Sequence, residues 1–468
     1  KPFRPEVRAA SLHPDRRRPG GMLQFDTGQP PRPQEPLARA DAAACGGKMT
    51  FRNAVFSLAN TIIGSGTLTM PFIFAGFGWL PANLVSVLIM LLTTYSVYLL
   101  VLASDRAGDG VPRSYEALGS WCCGAPGSVY AQATFICGGL GTLTGYMIFI
   151  GKLWAQVVGL DADQAYIPIL AVLVVAILPL TCPRKIHALR HASVAAVFAI
   201  LYVAVMYLWF AVKIGRYDDP TGAYVYAEVQ LATWTPHSIS SVNLLIGAFC
   251  VQNTCLPVYG ELMDRSPRKM VGATVCAMLL SFAVYEVIGL SGYFLLGGNV
   301  PGNSLLALDG AFVRAHPWAS LPRDLAKVSM ACLLALSFPL AMWPCRSALC
   351  SLLQGARRSC RRGDGEPRAA EGASDALFRG ATWAILAVVT VLAIRIPDVE
   401  TPLSLVNSLA GGSMIFVMPG LFYLGSLEDR SARFSAARWP VFAMLALGAL
   451  CCVLGFGLQV RSLALQRG

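Results

Sequence analysis

The chain has 468 residues, 55% of them hydrophobic and 13% charged, with a mean hydropathy of +0.56. Soluble domains carry about 25% charged residues, so these proportions exclude an ordinary soluble enzyme. The 37 Lys and Arg outnumber the 26 Asp and Glu, but they punctuate apolar runs instead of lining one face, which argues against nucleic acid as a partner.

The chain starts at Lys1 and not at Met, so it reads as N-terminally incomplete. Eight of its 29 prolines lie in residues 1–36, and 1–48 are expected to form a disordered cytoplasmic tail. The first 50 residues hold no apolar stretch that fits a cleavable signal peptide. Eleven apolar runs follow, over 51–77, 80–103, 128–150, 164–181, 192–214, 239–259, 270–297, 325–350, 381–397, 402–425 and 439–460. Each approaches or exceeds the roughly 20 helical residues needed to cross a bilayer. Pro397 and Pro402 bracket a turn between the ninth and tenth. The class implied is an all-α polytopic membrane protein with eleven transmembrane helices.

Basic residues test the count. With a cytoplasmic N-terminus, the segments 1–52, 103–127, 181–191, 261–270, 346–380 and 425–438 face the cytoplasm. They hold 28 of the 37 Lys and Arg, the positive-inside pattern. A missed helix would reverse that bias downstream. None of the 14 cysteines falls in the outer loops 151–163, 215–238, 298–324 or 398–401, so an external disulfide framework is not expected.

Two runs are interrupted. In the first, Asn60-Thr61-Ile62-Ile63-Gly64-Ser65-Gly66-Thr67 precedes Pro71; in the sixth, Cys250-Val251-Gln252-Asn253-Thr254-Cys255 precedes Pro257. In lipid an unpaired backbone group costs several kcal/mol, so a broken helix persists only beside a cavity or ligand. Breaks at matching positions in two halves point to an inverted-repeat transporter with a midplane site. Free N–H groups around Gly64, Ser65, Gly66 and Thr67 suit a carboxylate. Free carbonyls around Cys250 and Val251 suit an ammonium, and Gln252 joins them as a candidate solute ligand. Glycine at 64 and 66 lets backbone approach a ligand without Cβ interference.

These segments resemble the amino acid/auxin permease family, and within it the sodium-coupled neutral amino acid transporters. Asn60 through Leu68 is similar to that group's first-helix motif. Leu256-Pro257-Val258-Tyr259 with Glu261 is similar to its sixth-helix ending, Gly141 through Lys152 with Tyr146 to its third helix, and Ser337-Phe338-Pro339 with Pro344-Cys345-Arg346 to its eighth. The resemblance covers about 50–460. It implies a leucine-transporter-type fold, with five-helix inverted repeats over 49–215 and 236–425 and an eleventh helix over 436–460. It also implies Tyr146 in the solute site and Na⁺ as coupling ion, with no other cofactor. Asn60 and Ser337 would hold the ion, with backbone carbonyls near Asn60 and Ile63 and around Ala335; a hard cation takes uncharged oxygens. Two departures stand out. Gln252 occupies a position where close relatives often have His, and 215–238 lacks the cysteines that relatives tend to carry.

Within these runs Glu286 is the lone acidic residue. An unpaired carboxylate at mid-bilayer is costly, so it is either a coupling group or a hydrogen-bonded Glu facing protein. Relatives have an apolar residue there by the resemblance, which favours the second. Lys327 and Arg395 are expected to snorkel to the interface, and His187 and His191 to be solvated. The reading is secondary active transport of neutral amino acids with Na⁺ or H⁺, in the plasma membrane or a lysosomal or vacuolar membrane. An uncoupled permease and an amino-acid-sensing receptor are the alternatives. No His/Asp/Glu cluster in the spans supports an enzyme.

Overall fold

The computed structural model describes residues 47–64, 66–161, 164–181, 190–215, 229–235, 237–298, 300–360, 375–396, 398–427, 435 and 438–467. The tail up to 46, Ser65, His187 and Pro397 lie outside them. Every long element is helical. Among the described residues nine helices are long and apolar enough to cross a membrane, and one bent pair makes a tenth.

The bent pair is α1 (Phe51–Ile62) and α2 (Gly66–Phe77), which meet at 59°. There follow α3 (Trp79–Ala107), α4 (Tyr115–Val158), α5 (Tyr166–Thr181) and α6 (Arg190–Ile214). After them α7 (Ser238–Ala248) and α8 (Gln252–Glu261) share one span, and α9 covers Pro267–Leu296. Short α10 (Gly310–Ala315), long α11 (Ser320–Cys360), α12 (Asp375–Arg395), α13 (Glu400–Gly425) and α14 (Trp439–Arg467) complete the chain. The helix α5 is shorter than the nine, and it stands at the fourth expected run. Both ends of the eighth run, expected over 325–350, reach further as α11.

Local chemistry sets the boundaries. Thr50, Ser114 and Ser266 cap α1, α4 and α9, each hydroxyl accepting a backbone N–H at 3.3 Å, and Pro267 fills a first-turn position whose missing N–H costs nothing. Gly124 kinks α4 with φ at 69°, a left-handed conformation that favours glycine. The ladder of α13 widens to π-turns over Asn407–Gly411 and Ser413–Val417.

Close approach of small residues builds the core. A Cβ on Gly139 would meet Cys345 at 2.4 Å, which lets α11 press against α4. Outward, Leu84, Leu91, Phe198, Val212 and Val453 stay exposed, as a lipid-facing surface requires. Helix α9 packs on α1, α2, α3 and α6, and so touches both halves of the first broken span.

Candidate functional site at the two broken helices

The first break follows from composition. Gly64 and Gly66 carry low helix propensity, and α1 ends with the Ile63 N–H donating to Ala59. Beyond it the Thr67 N–H and hydroxyl both donate to the Gly64 carbonyl, at 3.1 and 2.7 Å, so that N–H is not free as expected. The second break covers Phe249–Val251, one residue ahead of the expected stretch. Its position has a local cause: the Gln252 side chain accepts the Val251 N–H at 3.0 Å, and α8 starts there. The Gln252 amide nitrogen donates to Ser96 on α3 at 3.1 Å, and the residue is fully buried. Its side chain therefore braces the break. The Val251 carbonyl is also taken, by the Thr254 N–H.

The two breaks meet. Tyr285 of α9 is buried, and its hydroxyl lies 2.6 Å from the Ile62 carbonyl and 3.0 Å from the Ala248 carbonyl. These carbonyls end α1 and α7. A Cβ at Gly66 would stand 3.1 Å from the Ala248 side chain and 3.6 Å from the Tyr285 hydroxyl, and one at Gly64 would stand 3.8 Å from the Tyr146 hydroxyl. Gly64, Gly66, Tyr146, Ile62 and Ala248 thus gather round one point, with Tyr285 beside them. Half-buried Cys250 follows within the second break, where its N–H donates to Gly247. Asn407 packs on Gly247, where a Cβ would fall 2.1 Å from its amide.

The candidate cation ligands lie on two stretches. Asn60 and Ile63 are half-buried in and after the last turn of α1. Ser337 sits midway along α11, which packs chiefly on α4 and α6. Among the described residues its hydroxyl has no hydrogen-bond partner, so the i−4 back-bond common for a helical serine is not made.

Hydrogen bonds close both ends of the broken pair. At the Met49 end, backbone bonds join Met49 to Glu261 at 2.8 Å and to Met263 at 2.9 Å. There Tyr259 donates to Asp105 at 2.8 Å. Asp109 bonds Arg113 at 2.9 Å and pairs with Arg265. These guanidinium groups, the Arg113 hydrogen bond first, hold the Asp109 carboxyl below the usual carboxylate range. At the opposite end Thr235 and Ser238 donate to the Gly76 carbonyl at 2.8 and 2.6 Å. Buried Ser304 reaches inward, accepting from Tyr207 at 2.8 Å and donating to Leu68 at 2.9 Å.

Two further expectations meet their answers here. Glu286 is half-buried beside the Asn83 and Trp79 side chains of α3, and the Asn83 amide donates to the Trp79 carbonyl at 3.1 Å. Lys327 does not snorkel. It is fully buried, and its ammonium donates to the Leu308 carbonyl at 2.8 Å. The segment before α10 folds over it, a tertiary effect no helical pattern announces. Arg395 is exposed as expected.

Tyr285, which joins the two breaks, is a residue that sequence reasoning missed. A signal existed: a tyrosine in an apolar span brings a hydroxyl that needs an acceptor.

Comparison with known proteins decides the family. The family model described as transmembrane amino acid transporter protein matches residues 47–460. The chain belongs to this family. The transmembrane amino acid transporter proteins are multi-pass membrane proteins and not enzymes, in keeping with the apolar helices above. Vacuolar amino acid transporter 6 of Saccharomyces cerevisiae is 24% identical over 421 residues, covering 80% of this chain and 89% of the yeast protein. The crystal structure of MhsT in complex with L-phenylalanine is similar in fold, with a TM-score of 0.52 at 12% identity, over 88% of this chain and 99% of MhsT.

Proposed function

We propose that this transmembrane amino acid transporter protein carries neutral amino acids by secondary active transport, coupled to Na⁺, through alternating access. The observation that carries this reading is the convergence of the Ile62 and Ala248 carbonyls beside Gly64 and Gly66. Carbonyl ends of two half-helices suit an ammonium, and the restarted end of α2 suits a carboxylate. The side chains around the breaks, Tyr146, Thr61, Thr254, Cys250 and Phe249, are uncharged, which fits a solute without side-chain charge.

The solute site comprises Gly64, Ser65, Gly66, Thr67, Tyr146 and Cys250, with Val251 and Gln252 fixing its floor. Asn60, the Ile63 carbonyl and Ser337 supply uncharged oxygens of the kind Na⁺ takes, and the partnerless Ser337 hydroxyl is available for it. The architecture proposed is eleven spans with a cytoplasmic N-terminus, as repeats over 49–215 and 236–425 and a final helix over 436–460. Helices α1, α2, α3 and α7 to α9 rock against the rest.

A second reading has its own support. The yeast relative is named a vacuolar transporter, which favours an internal membrane and coupling to H⁺ or to no ion. Labelled amino-acid uptake in proteoliposomes, with Na⁺ replaced by choline at two pH values, separates the readings. Uptake that collapses in choline at both pH values supports Na⁺. Equal uptake in choline rejects it. Asn60→Ala and Ser337→Ala should weaken apparent Na⁺ affinity with little change in membrane abundance.

A further inference from the structure

The Tyr285 hydroxyl carries one proton and faces two buried acceptors, the Ile62 carbonyl at 2.6 Å and the Ala248 carbonyl at 3.0 Å. Both belong to the last turns of half-helices, where carbonyls lack intrahelical partners and negative potential gathers. One proton fully satisfies one carbonyl at a time. An ammonium carries three donors and serves both at once.

We propose that Tyr285 is a positioning residue whose hydroxyl stands in for the solute's ammonium when the carrier is unloaded. It quiets the two carbonyl ends, so the broken helices move together without a solute. In the loaded carrier the ammonium supplies those donors. Gly66 keeps the shared space open, since a Cβ would stand 3.6 Å from the hydroxyl and 3.1 Å from the Ala248 side chain. Packing does not need the oxygen: the Tyr285 ring meets Phe249 edge-to-face at 5.3 Å, a contact phenylalanine would keep. The inference rests on the amino-acid reading above and adds which half of the cycle depends on this residue.

Net uptake requires the empty carrier to return, whereas exchange of internal for external solute does not. Tyr285→Phe should therefore cut net uptake into empty proteoliposomes roughly tenfold, the equilibrium equivalent of one buried acceptor left unpaired. Exchange should change less than about twofold, with no rise in its KM. Loss of both modes at normal abundance overturns the proposal, and so does loss of neither. A second arm uses the unaltered protein, so it does not depend on folding of the variant. An N-methyl amino acid, with two N–H donors, should compete in exchange, and its N-trimethyl analogue should compete roughly tenfold less well. Equal competition removes the carbonyl contact and the proposal with it. If the unaltered protein moves no amino acid in either mode, the transport reading itself fails. Unaltered protein that exchanges, beside a Phe variant that does not, rejects the Tyr285 role alone.

Discussion

Thr254 donates its hydroxyl hydrogen to the Thr61 hydroxyl at 3.1 Å, joining the second half of one broken span to the first half of the other. Thr61 passes the chain on to the Ser57 carbonyl at 3.1 Å. The halves on the Met49 side of the two breaks, α1 and α8, are thus linked by side chains, whereas the Tyr285 hydroxyl links α1 to α7 through backbone carbonyls.

If that link makes the two halves move as one, Thr61→Val and Thr254→Val should each slow transport more than they lower abundance. The double variant should be less impaired than the sum of the two. A coupling energy of about 0.6 kcal/mol is typical between membrane helices. A double-mutant cycle on initial uptake rates and thermal stability measures it, and strict additivity would deny the link.

The relay from Tyr207 through Ser304 to Leu68 makes a different demand. Ser304→Ala leaves a buried phenol and a buried carbonyl without their partner, at about 1–3 kcal/mol for each unpaired group. Adding Tyr207→Phe removes the stranded phenol. The double variant should accordingly melt higher than Ser304→Ala alone, a reversal read directly by thermal unfolding in detergent.

Glu286 lies beside Asn83 and Trp79, which fits a brace between α9 and α3. Glu286→Gln keeps an acceptor oxygen and should preserve both uptake and its pH profile. Glu286→Leu should lower stability by at most about 1 kcal/mol, because the Asn83 amide keeps its bond to the Trp79 carbonyl. A pH profile altered in the Gln variant would instead make Glu286 a coupling residue.

At the Met49 end the sign of pH dependence follows from Asp109. Its carboxyl is held below the usual range by Arg113 and Arg265, so its ion pairs stabilise the loop above the unfolded carboxylate value. That support is lost as pH falls through the lowered folded value. Asp109→Asn mimics the loss at neutral pH. Amide exchange over 108–114 and 262–266 should quicken in the variant, and added salt should shrink the difference from the unaltered protein. Unchanged exchange would mean the pairs hold nothing in place.

The breaks were legible because a local sequence mark lies at or near each: low-propensity glycines at 64 and 66, and Pro257 six residues beyond the second. The spans were legible because lipid demands long apolar runs. What stayed hidden depends on other elements. The acceptors of Tyr285 come from two other helices, and burial of Lys327 comes from a segment that precedes α10. Gln252, itself an expected solute ligand, caps the Val251 N–H, a choice between local and solute bonding that spacing does not decide.

In the function proposed above, two interrupted helices hold one zwitterionic solute between them. A cryo-electron microscopy structure with a saturating neutral amino acid tests it most directly. The ammonium is expected within hydrogen-bond reach of the Ile62 and Ala248 carbonyls, and the carboxylate against the backbone between Gly64 and Thr67. Solute density elsewhere in the bundle, or unbroken helix through either stretch, would contradict it.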